Sequence, residues 1–272
     1  MTGPMISAVA AGVAYDEAGQ GPAVVFSHGS MMDRTMFEAQ MQALCGRYRV
    51  VAFDHRARGP RSEGPYSLYD LADDCVRLLD SLQIERCVIA GMSMGGWMAL
   101  RVVLGHPDRI DGLALIASSG LSYSEADQSN WEQHYRPLRD APRVGRDFAQ
   151  QEARICFSAS TRRNRPDMVR HWVERWAGHR GDAVYHEVCS WLMQDDISER
   201  LSTISVPTVA IHGLEDEAIG IGDARTTVAA IGSASLVPVA GAGHTVNLES
   251  PVEVNAALRA FLAEVYGEPA RG

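Results

Sequence analysis

Cys87-Val88-Ile89-Ala90-Gly91-Met92-Ser93-Met94-Gly95-Gly96-Trp97 is the stretch on which the reading of this chain turns. Residues 87–90 read as a short buried strand, and 96–104 as a helix with one apolar face. A serine between two glycines at that junction suits a sharp strand-to-helix turn. Small neighbours let the backbone bend tightly and hold the hydroxyl out at a helix N-terminus. There the N–H groups without helical partners, together with the helix dipole, favour developing negative charge. An ordinary N-cap serine can sit in the same pentapeptide, so a base, an acid and oxyanion donors have to be sought separately.

Among the nine histidines, His244 stands out as the base. It follows the β-prone run 234–239 and sits in Gly241-Ala242-Gly243-His244, just before a terminal helix spanning 251–266. A glycine-rich loop after the last strand lets an imidazole fold over the sheet edge. The acid is expected after the strand Pro207-Thr208-Val209-Ala210-Ile211-His212-Gly213, where Leu214-Glu215-Asp216-Glu217 follows directly. Asp216 is the first choice, and spacing leaves Glu215 and Glu217 open. The order Ser…Asp…His, each at a strand's C-terminal end, is the pattern of a nucleophile-elbow triad. For the oxyanion, one donor is expected from the Met94 N–H. The second is expected from the loop His28-Gly29-Ser30-Met31-Met32 after strand 23–27, with Ser30 preferred and Met31 as the alternative. His28 then shapes that loop.

Residues 6–16 read as leading antiparallel strands, and core strands follow at about 23–27, 48–54, 86–91, 112–117, 207–212 and 235–239. Helices at about 68–82, 95–105 and 250–265 alternate with them. This alternation predicts an α/β fold: a mostly parallel, eight-stranded sheet with helices on both faces. The segment 121–200 breaks the rhythm, being helical without a core strand. It predicts a helical cap inserted into a core domain made of 1–120 and 201–272. Four of the five tryptophans (131, 172, 176 and 191) lie in that segment, mostly to build its own core. Trp131 and Trp191 are expected to join Met31, Met92 and Trp97 in an adaptable apolar acyl pocket. Arg162, Arg163 and Arg165 form the one basic cluster, and Arg163 is a candidate partner for a substrate carboxylate.

With these pieces in order, the chain resembles the α/β-hydrolase fold superfamily. The resemblance rests on Ser27-His28-Gly29, Asp54-His55-Arg56 with Arg58-Gly59, Gly91-Met92-Ser93-Met94-Gly95-Gly96, His106-Pro107-Asp108-Arg109-Ile110, Val206-Pro207-Thr208, Gly213 with Asp216, and Gly241-Ala242-Gly243-His244. Within it, Phe157, 162–169, Asp195-Asp196 and Arg200-Leu201 are similar to the 3-oxoadipate enol-lactonase-like hydrolases and small bacterial esterases. The resemblance implies a serine hydrolase acting on a carboxylic ester or lactone through an acyl-enzyme. It is also compatible with carbon–carbon bond hydrolysis of ring-cleavage products, with perhydrolase or non-haem haloperoxidase activity, and with a ligand receptor built on the fold. Serine as nucleophile speaks against the dehalogenase and epoxide hydrolase branches, which use aspartate there. One departure is visible: the usual Arg-Gly-His-Gly-x-Ser is here Arg56-Ala57-Arg58-Gly59-Pro60-Arg61-Ser62.

All 25 basic residues are arginine, which excludes a lysine Schiff base and a Walker-type phosphate loop. No cofactor or metal is expected, and the partner is a small ester or lactone. Net charge −9 argues against nucleic acid or an anionic membrane as partners. No apolar run is long enough for a membrane span, and 1–5 lack the pattern of a signal peptide. Five scattered cysteines fit thiols in a reducing cytosol better than disulfides or zinc, and a monomer or homodimer is expected.

Overall fold

The computed structural model describes residues 5–59, 62 and 64–267. Met1-Thr2-Gly3-Pro4, at the start of the stretch read as lacking a signal peptide, and Pro60 and Arg61 of the departing loop lie outside the described residues.

Eight strands form one sheet: β1 (Ile6–Ala10), β2 (Val13–Ala18), β3 (Ala23–Ser27), β4 (Arg49–Phe53), β5 (Cys87–Met92), β6 (Ile110–Ile116), β7 (Thr208–Gly213) and β8 (Ala234–Val239). Their spatial order is β1-β2-β4-β3-β5-β6-β7-β8. The pairs β1–β2 and β2–β4 are antiparallel, and every other pair is parallel. The interior strands β3 and β5 are buried at every residue, because a parallel strand covered on both faces needs a continuous apolar run. Pro238 lies in β8, an edge strand, where its missing N–H costs no interior ladder bond. The β1–β2 hairpin turns at Ala11 and Gly12, both with positive φ, which suits the twist of a tight hairpin.

The helices are α1 (Glu38–Leu44), α2 (Leu68–Ser81), α3 (Met94–Gly105), α4 (Glu125–Tyr135), α5 (Arg146–Cys156), α6 (Ala159–Asn164), α7 (Pro166–Gly178), α8 (Gly181–Leu192), α9 (Ile221–Ala230), α10 (Val246–Glu249) and α11 (Pro251–Val265). Ser67 opens α2 with a reciprocal capping box to Asp70. The pairs α2–α3 and α1–α11 pack around the sheet, while α4 to α8 follow one another between β6 and β7. No helix of the described residues is long and apolar enough to cross a membrane.

Strand positions and the three long helices agree with the sequence reading to within a few residues. Three helices were not anticipated: α10 has only four residues, about one turn, and the other two also have a physical reason. Helix α1 has only seven residues, about two turns. Helix α9 (IGDARTTVAA) buries only Ala224 and Thr227, so it has no apolar stripe to read. Because β3, β5, β6, β7 and β8 all run in parallel, their C-terminal ends meet along one edge, and the loops after them converge there.

Candidate active site

Ser93 sits between β5 and α3 with φ 52° and ψ −119°, a backbone conformation that L-residues adopt only under constraint. The turn is pinned from β6: Ser93 N–H donates to the Ile116 carbonyl at 2.9 Å, and the Ser118 hydroxyl donates to the Ser93 carbonyl at 2.9 Å. The flanking glycines are needed for close approach. A Cβ at Gly91 would lie 2.2 Å from the Gly95 carbonyl oxygen, and one at Gly95 2.2 Å from that of Ser27. Met94 heads α3, so its N–H has no acceptor within the helix.

His244 Nε2 lies 2.9 Å from Ser93 Oγ, and His244 Nδ1 lies 2.9 Å from Asp216 Oδ2. A carboxylate can only accept, so the Nδ1–H donates to it and Nε2 is left to accept from the serine hydroxyl. Of the three carboxylates that spacing left open, Asp216 is the one bonded to His244. Its side chain is fully buried, while Glu215 and Glu217 are exposed. Asp216 Oδ1 accepts the Ala218 and Ile219 N–H groups, and Oδ2 also lies 3.2 Å from His212 Nε2. Burial alone would raise its carboxyl pKa. The charge of His244 and the hydrogen bonds from His212 and His244 outweigh burial and hold the group well below the usual carboxylate range.

The loop after β3 approaches from the other side. His28 is buried, accepts the His55 N–H on Nε2 at 3.0 Å, and donates from Nδ1 to the Gly29 carbonyl at 2.8 Å. Burial and the neighbouring His55 push its pKa well below the usual range, so it holds the loop as a neutral ring. Met31 has φ 60°, and its N–H donates to Glu187 Oε2 at 2.8 Å. The Met31 carbonyl accepts from His179 Nε2 at 2.9 Å, and the Met32 carbonyl accepts from Arg58 Nε at 2.7 Å. Met32 N–H closes a turn onto the Gly29 carbonyl. The Ser30 N–H makes no hydrogen bond among the described residues, whereas its hydroxyl accepts from Trp191 Nε1 at 3.0 Å.

Glu187 was missed in the sequence, yet it organises this loop. Its side chain is fully buried on α8, and it pairs with Arg58 Nη2 at 2.7 Å. Burial raises its carboxyl pKa, opposed by the Arg58 charge and the Met31 N–H. Trp191 four residues later lies on the same helix face, which was the only signal available. Arg58 lies in the Arg56–Ser62 loop that departs from the usual pattern, and this loop supplies the partner of the buried carboxylate.

A largely apolar cavity lies over Ser93 and His244. Of the residues expected to line it, Met31, Met92, Trp97, Trp131 and Trp191 do, and Ser30, expected as an oxyanion donor, lines it as well. Arg163 does not. It is exposed on α6 and is absent from the described lining, because α6 ends in a polar turn that faces outward. The expectation of an arginine meeting a substrate carboxylate is corrected accordingly. Tyr123, Tyr135, Glu152 and Cys156 also line the cavity and were not singled out as lining residues. Trp131–Tyr135 and Glu152–Cys156 are both i, i+4 pairs, which marks one helix face but not what that face covers.

Residues 24–257 match the Alpha/beta hydrolase family. The chain belongs to that family. Among its relatives, 3-oxoadipate enol-lactonase 2 of Acinetobacter baylyi is 27% identical over 243 residues, covering 89% of this chain and 88% of the relative. A thermophilic esterase from Thermogutta terrifontis, solved with malate bound, superposes with a TM-score of 0.87 at 24% identity, covering 97% and 99% of the two chains. The enol-lactonase from Burkholderia xenovorans LB400 gives 0.85 at 24% identity over 95% and 100%. At that identity the two superpositions speak for the α/β-hydrolase fold alone. The family supports hydrolytic activity on a small-molecule substrate.

Proposed function

We propose that this α/β hydrolase cleaves a carboxylic ester or lactone through an acyl-enzyme formed on Ser93. The observation that carries this reading is the continuous pair of contacts, Asp216 to His244 to Ser93, at the rim where parallel strands end. His244 takes the Ser93 proton as Oγ attacks the carbonyl carbon, then gives it to the leaving alcohol. The depressed Asp216 stays ionised, holds the ring in the required tautomer and stabilises the imidazolium formed during attack. Water activated by His244 then attacks the acyl-enzyme, releasing the acid and returning the hydroxyl to Ser93.

The N–H groups of Met94 and Ser30 are the proposed oxyanion donors. Met31, the alternative to Ser30, has its N–H committed to Glu187. A preorganised pair of donors strengthens most as charge moves onto the carbonyl oxygen. Residues 121–200 are the proposed cap over a core of 1–120 and 201–272. Helices α4, α5 and α8 from this segment supply Trp131, Tyr135, Glu152, Cys156 and Trp191 to the cavity. No step in this scheme calls on a cofactor.

A panel of short-chain 4-nitrophenyl esters and simple lactones, assayed with wild type and Ser93→Ala, tests the reading. Turnover is expected with wild type and is lost in the variant, and a fluorophosphonate labels Ser93 alone. Hydrolysis that survives Ser93→Ala, or labelling elsewhere, would refute it.

A further inference from the structure

The cavity over Ser93 has an unusual electrostatic lining for an enzyme with an acid-handling relative. Among its described lining residues there is no arginine, and the chain contains no lysine. Its lining carboxylate is Glu152 on α5, which is buried to 4% exposure. Two neighbours on α4 hold that carboxylate: His134 Nε2 lies 2.6 Å from Oε1, and the Tyr135 hydroxyl donates to Oε2 at 2.5 Å.

Glu152 can be placed along the cavity from both ends. It lies four residues, one helical turn, before Cys156, and the Cys156 carbonyl accepts the Thr245 N–H at 3.0 Å, next to His244. From the opposite side, the Ser30 hydroxyl bonds the Trp191 indole, Trp191 packs edge-on to Tyr135 with ring centroids 6.2 Å apart, and Tyr135 bonds Glu152. Trp97 stacks on Trp191, and Tyr123 packs against both. An acyl chain leaving Ser93 therefore meets aromatic faces and then a fixed carboxylate. An acid group carried there loses its water, meets no arginine among the described lining residues, and approaches a carboxylate already held by His134 and Tyr135.

We propose that the cavity admits uncharged, largely apolar or aromatic acyl groups and turns away acyl groups ending in a carboxylate, with Glu152 as the residue that sets this preference. This rests on the acyl-enzyme reading above and names its substrate class.

The test pairs two 4-nitrophenyl esters of equal chain length at pH 7, the hexanoate and the adipate monoester, which ends in a free carboxylate. Wild type is expected to show kcat/KM at least about a hundredfold higher for the hexanoate, as like charges in a poorly screened site require. Glu152→Gln is expected to raise the adipate-to-hexanoate ratio about tenfold or more, since it removes the charge while keeping the shape. Equal efficiency of wild type on the two esters overturns the proposal, and this comparison needs no variant to fold. An unchanged ratio in folded Glu152→Gln overturns the role given to Glu152. If neither ester is turned over and a fluorophosphonate leaves Ser93 unlabelled, the hydrolase reading itself fails and this inference falls with it.

Discussion

Replacing Glu187 by alanine removes one buried acceptor shared by the Met31 N–H at 2.8 Å, Arg58 at 2.7 Å and the Ser30 hydroxyl at 3.4 Å. The Arg58 and Glu187 side chains are 4% and 0% exposed, so water neither screens the pair nor replaces the lost partner. Removing one member of a buried pair costs about 3–5 kcal/mol. A backbone bond to a charged acceptor contributes about 1.5–3 kcal/mol, but both losses fall on one oxygen and do not add. A net loss of about 4 kcal/mol then lowers the melting temperature by roughly 8–16 °C for a domain of this size. The catalytic effect is separate. Freed of Glu187, the loop that also carries the Ser30 N–H loses its anchor and can shift that donor away from the oxyanion, and one lost donor lowers kcat by about 10²–10³. The assay combines thermal unfolding by circular dichroism with kcat and KM on a neutral 4-nitrophenyl ester, measured well below the new midpoint. KM is expected to change little, because the donor acts mainly in the transition state. The double variant Glu187→Met, Arg58→Met separates the two effects: stability is expected to recover, since an apolar replacement of a buried pair is often neutral, while kcat stays low because Met31 still has no acceptor. Wild-type kcat in folded Glu187→Ala would refute the link between this carboxylate and the oxyanion loop.

Asp216→Asn is expected to lower kcat by about 10⁴ with little change in fold, by favouring the wrong tautomer of His244; a loss under tenfold would remove Asp216 from its role. Stability is expected to fall as pH drops from 7 to 5. Burial and Arg58 bring His55 to about 3, and burial and Arg58 bring His179 to about 4. Below the ordinary histidine value the unfolded chain therefore binds more protons than the native one. Buried Glu187, with its raised carboxyl, works in the opposite sense, and depressed Asp216 adds a further loss only below its ordinary value of 3.8. A urea midpoint equal at pH 7 and pH 5 would contradict the balance. Gly95→Ala is expected to destroy soluble expression or native folding, because its Cβ would meet the Ser27 carbonyl oxygen at 2.2 Å; a folded, active variant would show that the elbow can relax. Burial first, then the Asp74 charge, pushes the Cys75 thiol up to about 12, so iodoacetamide at pH 8 is expected to spare it in native protein and label it in urea. Mass spectrometry of the peptide reports the outcome.

The readable part of the fold was local. Each interior strand is a short apolar run bounded by turn residues, and the Ser93 turn, its glycines and the helix after it lie within a dozen residues. Helix α9 escaped because Ala224 and Thr227 give it no apolar stripe. The same limit applies to the site. Ser93 and His244 were legible from loop position, since each ends a strand of one parallel sheet. Glu187 carried only the weak mark of Trp191 four residues on, because its partner Arg58 lies 129 residues away in sequence, and the i, i+4 pairs on α4 and α5 told which residues share a face but not what that face meets.

From the amino-acid order alone come the α/β alternation, the strand-to-helix turn that holds Ser93, and the family, because all of these depend on periodicity and turn chemistry within short windows. Tertiary structure decided which of three adjacent carboxylates turns inward to His244, that Arg163 faces outward while Glu152 lines the cavity, and that Glu187 holds the Met31 peptide. These outcomes follow from how α4 to α8 pack against the sheet edge. That packing depends on contacts between residues far apart in the chain, which no local pattern encodes.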